Sequence, residues 1–301
     1  MKRTTIDHLT EADWLQDRKR DITSTDCAAL FDASPYCTKF ELWHRKRDAS
    51  LASSFVENER TQWGKRLEEA IALGAGEQMG IKVRPFKRYI RLEEERIGSS
   101  FDWIADDESC ILECKNVDFR QFKSGWKEED GELVAPAHIE IQVQHEMLVA
   151  GIDKAVICCF VGGNELRLLH RSADLAVQGA ILSAAYRFWR SIDLGDAPTP
   201  TFPADADFIP KMLLNSAPGE IEAPDLTNSC EEYVSLSAKI KELTEQKEIM
   251  KAKMLIDIGT CEKARCGRFT ISAKTVEEIE VPAHVRKAYR GFKVTEKKEK
   301  K

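Results

Sequence analysis

The sequence predicts a mixed α/β protein: a mixed sheet flanked by helices, with a smaller helical and β appendage at the C-terminal end. Three observations carry this expectation. Helix-period and strand-like segments follow one another through the first two hundred residues in the order helix, β-meander, helix, strand pair, helix. A proline- and aspartate-rich stretch, "GDAPTPTFPADADFIP" (195–210), then interrupts the pattern. Beyond it, 229–256 carries apolar residues close to a heptad seam. The expected organisation is a core over 1–200, a linker over 201–218 and a C-terminal unit over 219–301.

Taken in order, a short N-terminal segment leads to a helix near 25–32, for which Ser24 or Thr25 is a suitable cap. A turn at Ser34–Pro35 opens a second helix anchored by Phe40, Leu42 and Trp43. Residues 58–79 form a longer helix with Trp63, Leu67, Ala70, Ile71 and Leu73 at helical spacing. Trp43 and Trp63 are read as core anchors. Three strands follow, at 81–92, 96–106 and 110–117, the last two joined by a turn at Asp106–Ser109. "RQFKSGWKEEDGELVAPAH" reads as a loop bounded by Gly125, Gly131 and Pro136, and 139–151 as a helix closed by Gly151. "KAVICCFVGG" and "ELRLLHRS" are two more strands, and 173–192 an amphipathic helix. In 229–256 the seam runs through Tyr233, Leu236, Ile240, Leu243, Met250 and Met254, interrupted by Lys247, and is expected to pack within one subunit. "GRFTISAKTVEEIEV" suggests a small β element, and the lysine-rich "KVTEKKEKK" end a disordered tail.

A composition of 43% hydrophobic and 32% charged residues is that of a globular protein with a polar surface. No run approaches a membrane span, and the opening "MKRTTIDHLTEADWL" has no apolar signal core, so the expected location is cytoplasmic. The nine cysteines are an odd count, with Cys27, Cys110, Cys114, Cys158 and Cys159 inside apolar segments, as reduced buried thiols are. Cys230, Cys261 and Cys266 have no C-x-x-C spacing, which argues against zinc or an iron–sulfur cluster. A net charge of −6 weighs against general nucleic-acid binding, yet the basic residues are clustered at 17–21, 43–48 and 83–91.

The chemistry is concentrated in "FDWIADDESCILECKN" (101–116). Glu113 and Lys115 are two apart on a strand and leave the same face, and Asp102 lies on the preceding strand of the hairpin. Two carboxylates beside a cation suit Mg²⁺, which takes one or two carboxylates, waters and phosphate oxygens. The lysine offers a compact charge that can offset charge developing on a phosphorane. The plain alternative is an edge-strand ion pair of little energetic weight. His138 and His145 read as loop or helix-surface residues, and Glu69 as solvated. Gln144 is left open between core and DNA.

Around these residues the chain resembles the PD-(D/E)xK nuclease superfamily, and within it the lambda exonuclease and YqaJ-type viral recombinase family. The resemblance covers 12–192 and is carried by "WLQDRKRDITSTDCAALF", "SPYCTKFELWHRK", "QWGKRLEEAI", the strands with Asp102 and Glu113-Cys-Lys115, and "APAHIEIQVQHEMLVAGIDKA", in that order. It implies a restriction-endonuclease-like core. It also implies Asp102, Glu113 and the Cys114 carbonyl as metal ligands, and Lys115 as the catalytic lysine. Glu68 would act through a metal-bound water or a second ion, and Gln142 would hold the nucleophile or the scissile phosphate. Arg18, Thr25 and Ser100 fall where the family places a pocket for the 5′-phosphate. Phe101 replaces the motif's proline and Trp103 a frequent glycine, which puts substrate fit in question more than chemistry; Thr25 stands where some members have serine and keeps the hydroxyl.

What the resemblance implies is a nuclease using two ions, Mg²⁺ or in its place Mn²⁺, that degrades the 5′-ended strand of duplex DNA and leaves a 3′ tail. Its implied partners are DNA ends, a single-strand annealing protein and further copies in a trimeric or tetrameric ring, in a bacterial host cytoplasm if phage-encoded. The alternatives are a same-fold structure-specific endonuclease, a helicase-associated nuclease, or a weakly catalytic DNA-binding scaffold.

Overall fold

The computed structural model describes residues 1–7, 10–51, 58–278 and 294. Its contacts divide the chain into two units, Met1–Met212 and Leu213–Lys301.

The first unit opens with strand β1 (Arg3–Ile6), helix α1 (Glu11–Arg20) and the two-residue strand β2 (Ile22–Thr23). The helix expected near 25–32 is a single α-turn, α2 (Ser24–Cys27), continued by a 3-10 turn over Ala28–Phe31. Its cap is Thr23 rather than Ser24 or Thr25. The Thr23 hydroxyl accepts from the Asp26 amide while the Asp26 carboxylate accepts from the Thr23 amide, a reciprocal capping box. Helix α3 (Lys39–Arg47) buries Phe40, Leu42 and Trp43. Helix α4 (Glu59–Met79) starts at a second box, Asn58 with Thr61, and stops at Gly80, whose φ of 67° suits glycine. It buries Ile71, Ala72, Ala75 and Gly76, but Trp63 is half exposed, so that expected core anchor lies on the surface. The Trp63 ring instead carries the Arg66 guanidinium at 5.1 Å.

The expected long strands are broken in two. Residues 81–92 give β3 (Val83–Pro85) and β4 (Tyr89–Leu92), and 96–106 give β5 (Ile97–Ser99) and β6 (Trp103–Ala105), before β7 (Ile111–Val117). The breaks let the chain pass between two sheets. β4 and β5 belong to a four-stranded sheet of order β1-β4-β5-β2. The expected loop over 120–138 holds helix α5 (Phe119–Gly125) and a hairpin, β8 (Lys127–Glu129) with β9 (Glu132–Val134). Helix α6 (Ala137–Ala150) ends at Gly151, with φ 74°, and leads into β10 (Lys154–Val161), β11 (Glu165–Ser172) and α7 (Leu175–Leu194). The second sheet has the order β11-β10-β7-β6-β3, with β7 at its centre, parallel to β10 and antiparallel to β6.

Alternation along β7 sends Ile111 and Val117 into one apolar cluster, shared with Val143 and Met147 of α6, and Leu112 into another, shared with Ile71 and Ala75 of α4. The unit closes with α8 (Ile209–Met212); the buried Asp205 just before it accepts from the Thr38 hydroxyl at 2.5 Å and from the Thr201 amide.

The second unit holds α9 (Thr227–Ile258) and a hairpin of β12 (Lys263–Cys266) with β13 (Phe269–Ser272). None of the residues of α9 is buried, so the expected packing of its seam within one subunit is absent among the described residues. The lysine-rich end lies outside the described residues apart from Val294. Among those residues no helix is long and apolar enough to cross a membrane.

Candidate active site

The β6–β7 pairing, Trp103 with Leu112 and Ile104 with Ile111, brings Asp102, at the mouth of β6, across from the middle of β7. There the Cys114 amide donates to the Asp102 carboxylate at 2.9 Å, and the Asp102 carbonyl accepts from the Phe86 amide at 3.0 Å. Backbone on both sides thus fixes the aspartate.

Glu113 and Lys115 share the face of β7 that looks toward α6. The Lys115 ammonium donates to Glu113 Oε1 at 2.5 Å and to Gln142 Oε1 at 3.2 Å. Gln142 Nε2 donates to Glu113 Oε1 at 2.7 Å and to Glu146 Oε1 at 3.0 Å. Gln142 and Glu146 are four apart on α6, one above the other on a single helical face. Glu146 is fully buried, and its other oxygen has no hydrogen-bond partner. Sequence reading missed Glu146. Its signal was a second acid-or-amide position one turn after Gln142 on a helix otherwise apolar on that side.

Glu68, on α4, lines a cleft of about 510 Å³ together with Asp102, Ser100, Trp14, Lys87 and Arg88. Two of the three residues expected at a phosphate pocket sit together: Arg18 Nη2 donates to the Thr25 hydroxyl at 3.1 Å, and Thr25 is 3.1 Å from the Thr23 hydroxyl. The Arg18 guanidinium also lies over the Trp14 ring at 4.5 Å, and Trp14 lines the cleft that holds Ser100.

The remaining polar residues of α6 have structural partners. His145, expected on the surface, is buried with Nε2 3.1 Å from the Ile22 carbonyl, and burial pushes its pKa down to about 4. Gln144 donates to the Ser172 carbonyl and accepts from the Asp174 amide, so it belongs to the packing at the start of α7. His138 is half-buried, edge-on to Tyr36 at 5.8 Å, and Glu69 is exposed.

Charge at the site is unbalanced. Burial, and then the charge of Glu113, raise the pKa of Asp102, Glu146 and Glu68 above the ordinary carboxylate range, the first two well above it. Burial opposes charge on Lys115 too, but Glu113 and then Asp102 outweigh it and hold the ammonium protonated. Four carboxyl groups thus crowd one ammonium. Such an excess, with an orphaned carboxylate oxygen behind it, fits a hard divalent cation in donor chemistry. Among the described residues no three His, Cys, Asp or Glu side chains are already grouped to hold one. The Lys115 ammonium and the Gln142 amide both go to Glu113 Oε1, so an ion would meet Glu113 at Oε2 or share Oε1 with them.

The chain is similar to known proteins in sequence and in fold. Residues 13–153 match the model of the YqaJ-like viral recombinase domain. The chain is 26% identical over 279 residues to YqaJ of Bacillus subtilis (strain 168), covering 89% of this chain and 84% of that protein. Its fold is similar to the crystal structure of the alkaline exonuclease LHK-Exo from Laribacter hongkongensis, with a TM-score of 0.51, 14% identity, and coverage of 62% of this chain and 94% of that one. The central β7 with Glu113 and Lys115, Asp102 at the mouth of β6 and the α6 helix all lie within the matched span, and the mixed α/β architecture is restriction-endonuclease-like. Over residues 13–153, just under half of its length, the chain is thus similar to the YqaJ-like viral recombinase domain.

Proposed function

We propose that the protein is a divalent-cation-dependent exonuclease that degrades the 5′-ended strand of duplex DNA and leaves a 3′ single-stranded tail for phage-type recombination. The observation that carries this reading is the convergence of Asp102, Glu113, Lys115 and Gln142 beside a cleft lined by Glu68, Ser100 and two cationic residues. The family and the fold neighbour support the coarser statement, a nuclease role.

In this reading Asp102, Glu113 and the Cys114 carbonyl hold the cation, Mg²⁺ or Mn²⁺, with Glu68 serving a second position. The cation supplies Lewis acidity and makes a bound water more acidic. The chain's own residues do the rest. Lys115, kept protonated by its two carboxylates, places positive charge where the phosphorane oxygens develop negative charge. Gln142 holds Glu113 through its amide and Lys115 through its carbonyl, so one side chain sets the spacing of both. Arg18, Thr25 and Ser100 form a pocket for the 5′-phosphate, a guanidinium with hydroxyls being suited to a terminal phosphate. A single-strand annealing protein and a ring of copies around the duplex complete the proposal.

The test is digestion of a 5′-phosphorylated linear duplex with Mg²⁺, wild type beside Lys115→Ala and Glu113→Gln, with a closed circle as control. Mononucleotides from wild type, a loss of about 100-fold or more in each variant, and an intact circle are expected. Cleavage of the circle would replace the reading with an endonuclease. Duplex binding that weakens with salt, without cation-dependent cleavage, would replace it with a DNA-binding scaffold.

A further inference from the structure

Helix α9 runs for 32 residues and, among the described residues, nothing buries any of them: Leu236, Ile240, Leu243, Met250 and Met254 are each 44–65% exposed along it. Helices in folded proteins draw most of their stability from packing an apolar face, and a continuous exposed seam marks an interface. The spacing from 236 to 254 alternates four and three, with Ile240, Lys247 and Met254 at a positions and Leu236, Leu243 and Met250 at d positions of a heptad. That pattern encodes a helical partner.

The charges identify the partner and its direction. In a parallel, in-register pair of this helix Lys247 would face its own copy in a core layer, with no opposite charge across the flanking positions. Running antiparallel, with Ile240 packed on Leu243 of the second copy, Lys247 meets Leu236 instead. The two lysines then lie about 16 Å apart along the axis at 1.5 Å per residue, beyond the screening length of about 8 Å in physiological salt. The same register sets Glu232, near the start of the helix, beside Lys253, near its end, and does so twice by symmetry. We propose that α9 pairs with α9 of a second copy of this chain as an antiparallel two-helix coiled coil. The pairing is independent of the nuclease reading.

In this register Cys230 lies beside Lys251 of the second copy. Within one helix those positions are about 31 Å apart, far beyond disulfide reach, so a link between them reports the pairing alone. The experiment uses the full-length chain carrying Cys261→Ser, Cys266→Ser and Lys251→Cys under mild oxidation, with linked peptides mapped by mass spectrometry. An inter-chain link between positions 230 and 251 is expected, lost with Cys230→Ser and reduced at least tenfold by Ile240→Glu with Leu243→Glu. A companion chain with Lys247→Cys in place of Lys251→Cys should give no 247–247 link. That link would mean parallel pairing and overturn the proposal. So would a chain that gives neither link at concentrations where it is handled as an enzyme, or one whose 230–251 link survives the Glu substitutions. None of these outcomes touches the DNA digestion result.

Discussion

At the scale of single residues, the site depends on which polar groups are paired in the interior. Asp102, Glu113 and Lys115 were legible in the sequence because charged residues in a half-buried hairpin demand partners. The contact of Lys115 with Glu113 is the one that alternation along β7 implies, while Asp102 meets β7 through the Cys114 amide. Glu146 was not legible, since one acid in an apolar helix is ordinary until the fold brings Gln142 and Glu113 beside it. His145 misled for the converse reason: flanked by polar neighbours, it is nonetheless inside, spending its ring nitrogen on the carbonyl of Ile22. That burial has a pH signature. With a folded pKa of about 4 and an unfolded value of about 6.5, the native state binds fewer protons in between. The contribution of His145 is therefore complete above pH 6.5 and lost as pH falls toward 4, on the order of 3 kcal/mol in all. Urea unfolding of wild type and His145→Gln at pH 7.5, 5.5 and 4.5 should show the stability gap closing with acid; a gap independent of pH would contradict it.

At the scale of elements, what sequence periodicity could not show is where strands change sheets. Residues 81–92 and 96–106 read as continuous strands because both halves of each are apolar or alternating, although Pro85, which ends β3, is a local mark of the first break. The break is a tertiary event, β4 and β5 pairing with each other while β3 and β6 join the sheet of β7. Helix α4 was legible to within one residue because cap, period and terminal glycine agree. The short strands β1 and β2 were not, being fixed by partners distant in sequence, and neither was the β8–β9 hairpin, whose three-residue strands are too short and polar to show a period. The β4–β5 pair also has a steric demand. A Cβ on Gly98 would run into the Tyr89 ring and hydroxyl, which donates to the buried Asp21. Gly98→Ala should cost roughly 1–3 kcal/mol by overpacking, read as a lowered urea midpoint with an unchanged slope. An unaltered midpoint would show that Tyr89 can yield.

At the scale of the whole molecule, net charge says less than the place of each charge. Several residues of the basic clusters are spent internally. Lys46 donates to the carbonyls of Arg18 and Asp21 and pairs with Asp26, and Arg91 pairs with Asp17 and Asp21. Lys87 and Arg88 line the cleft, Arg88 with Asp7 3.5 Å from its guanidinium. The acids of the site are the complementary imbalance, four carboxyl groups about one ammonium. A cation that binds only the folded chain should therefore raise its stability, by about 2.7 kcal/mol at a hundred times its dissociation constant. Thermal unfolding with Mg²⁺ and then EDTA should show a reversible rise in Tm for wild type that Glu113→Gln diminishes. Equal curves in both buffers would mean that no ion is held there.

The place of β7 at the centre of the five-stranded sheet bears on how the site can fail. Fluctuations that fray a protein begin at edges and loops, where little apolar surface is lost on opening. Glu113, Cys114 and Lys115 have a neighbouring strand on one side throughout, and the antiparallel partner reaches them through Asp102 on the other. Local opening at the rim therefore leaves the acid–acid–lysine geometry standing, while the cleft wall that carries Ser100, Lys87 and Arg88 sits on the connections between the two sheets and can breathe. On the proposed reading the catalytic geometry would persist for as long as the sheet does, and the hold on DNA would be the first thing warming takes away.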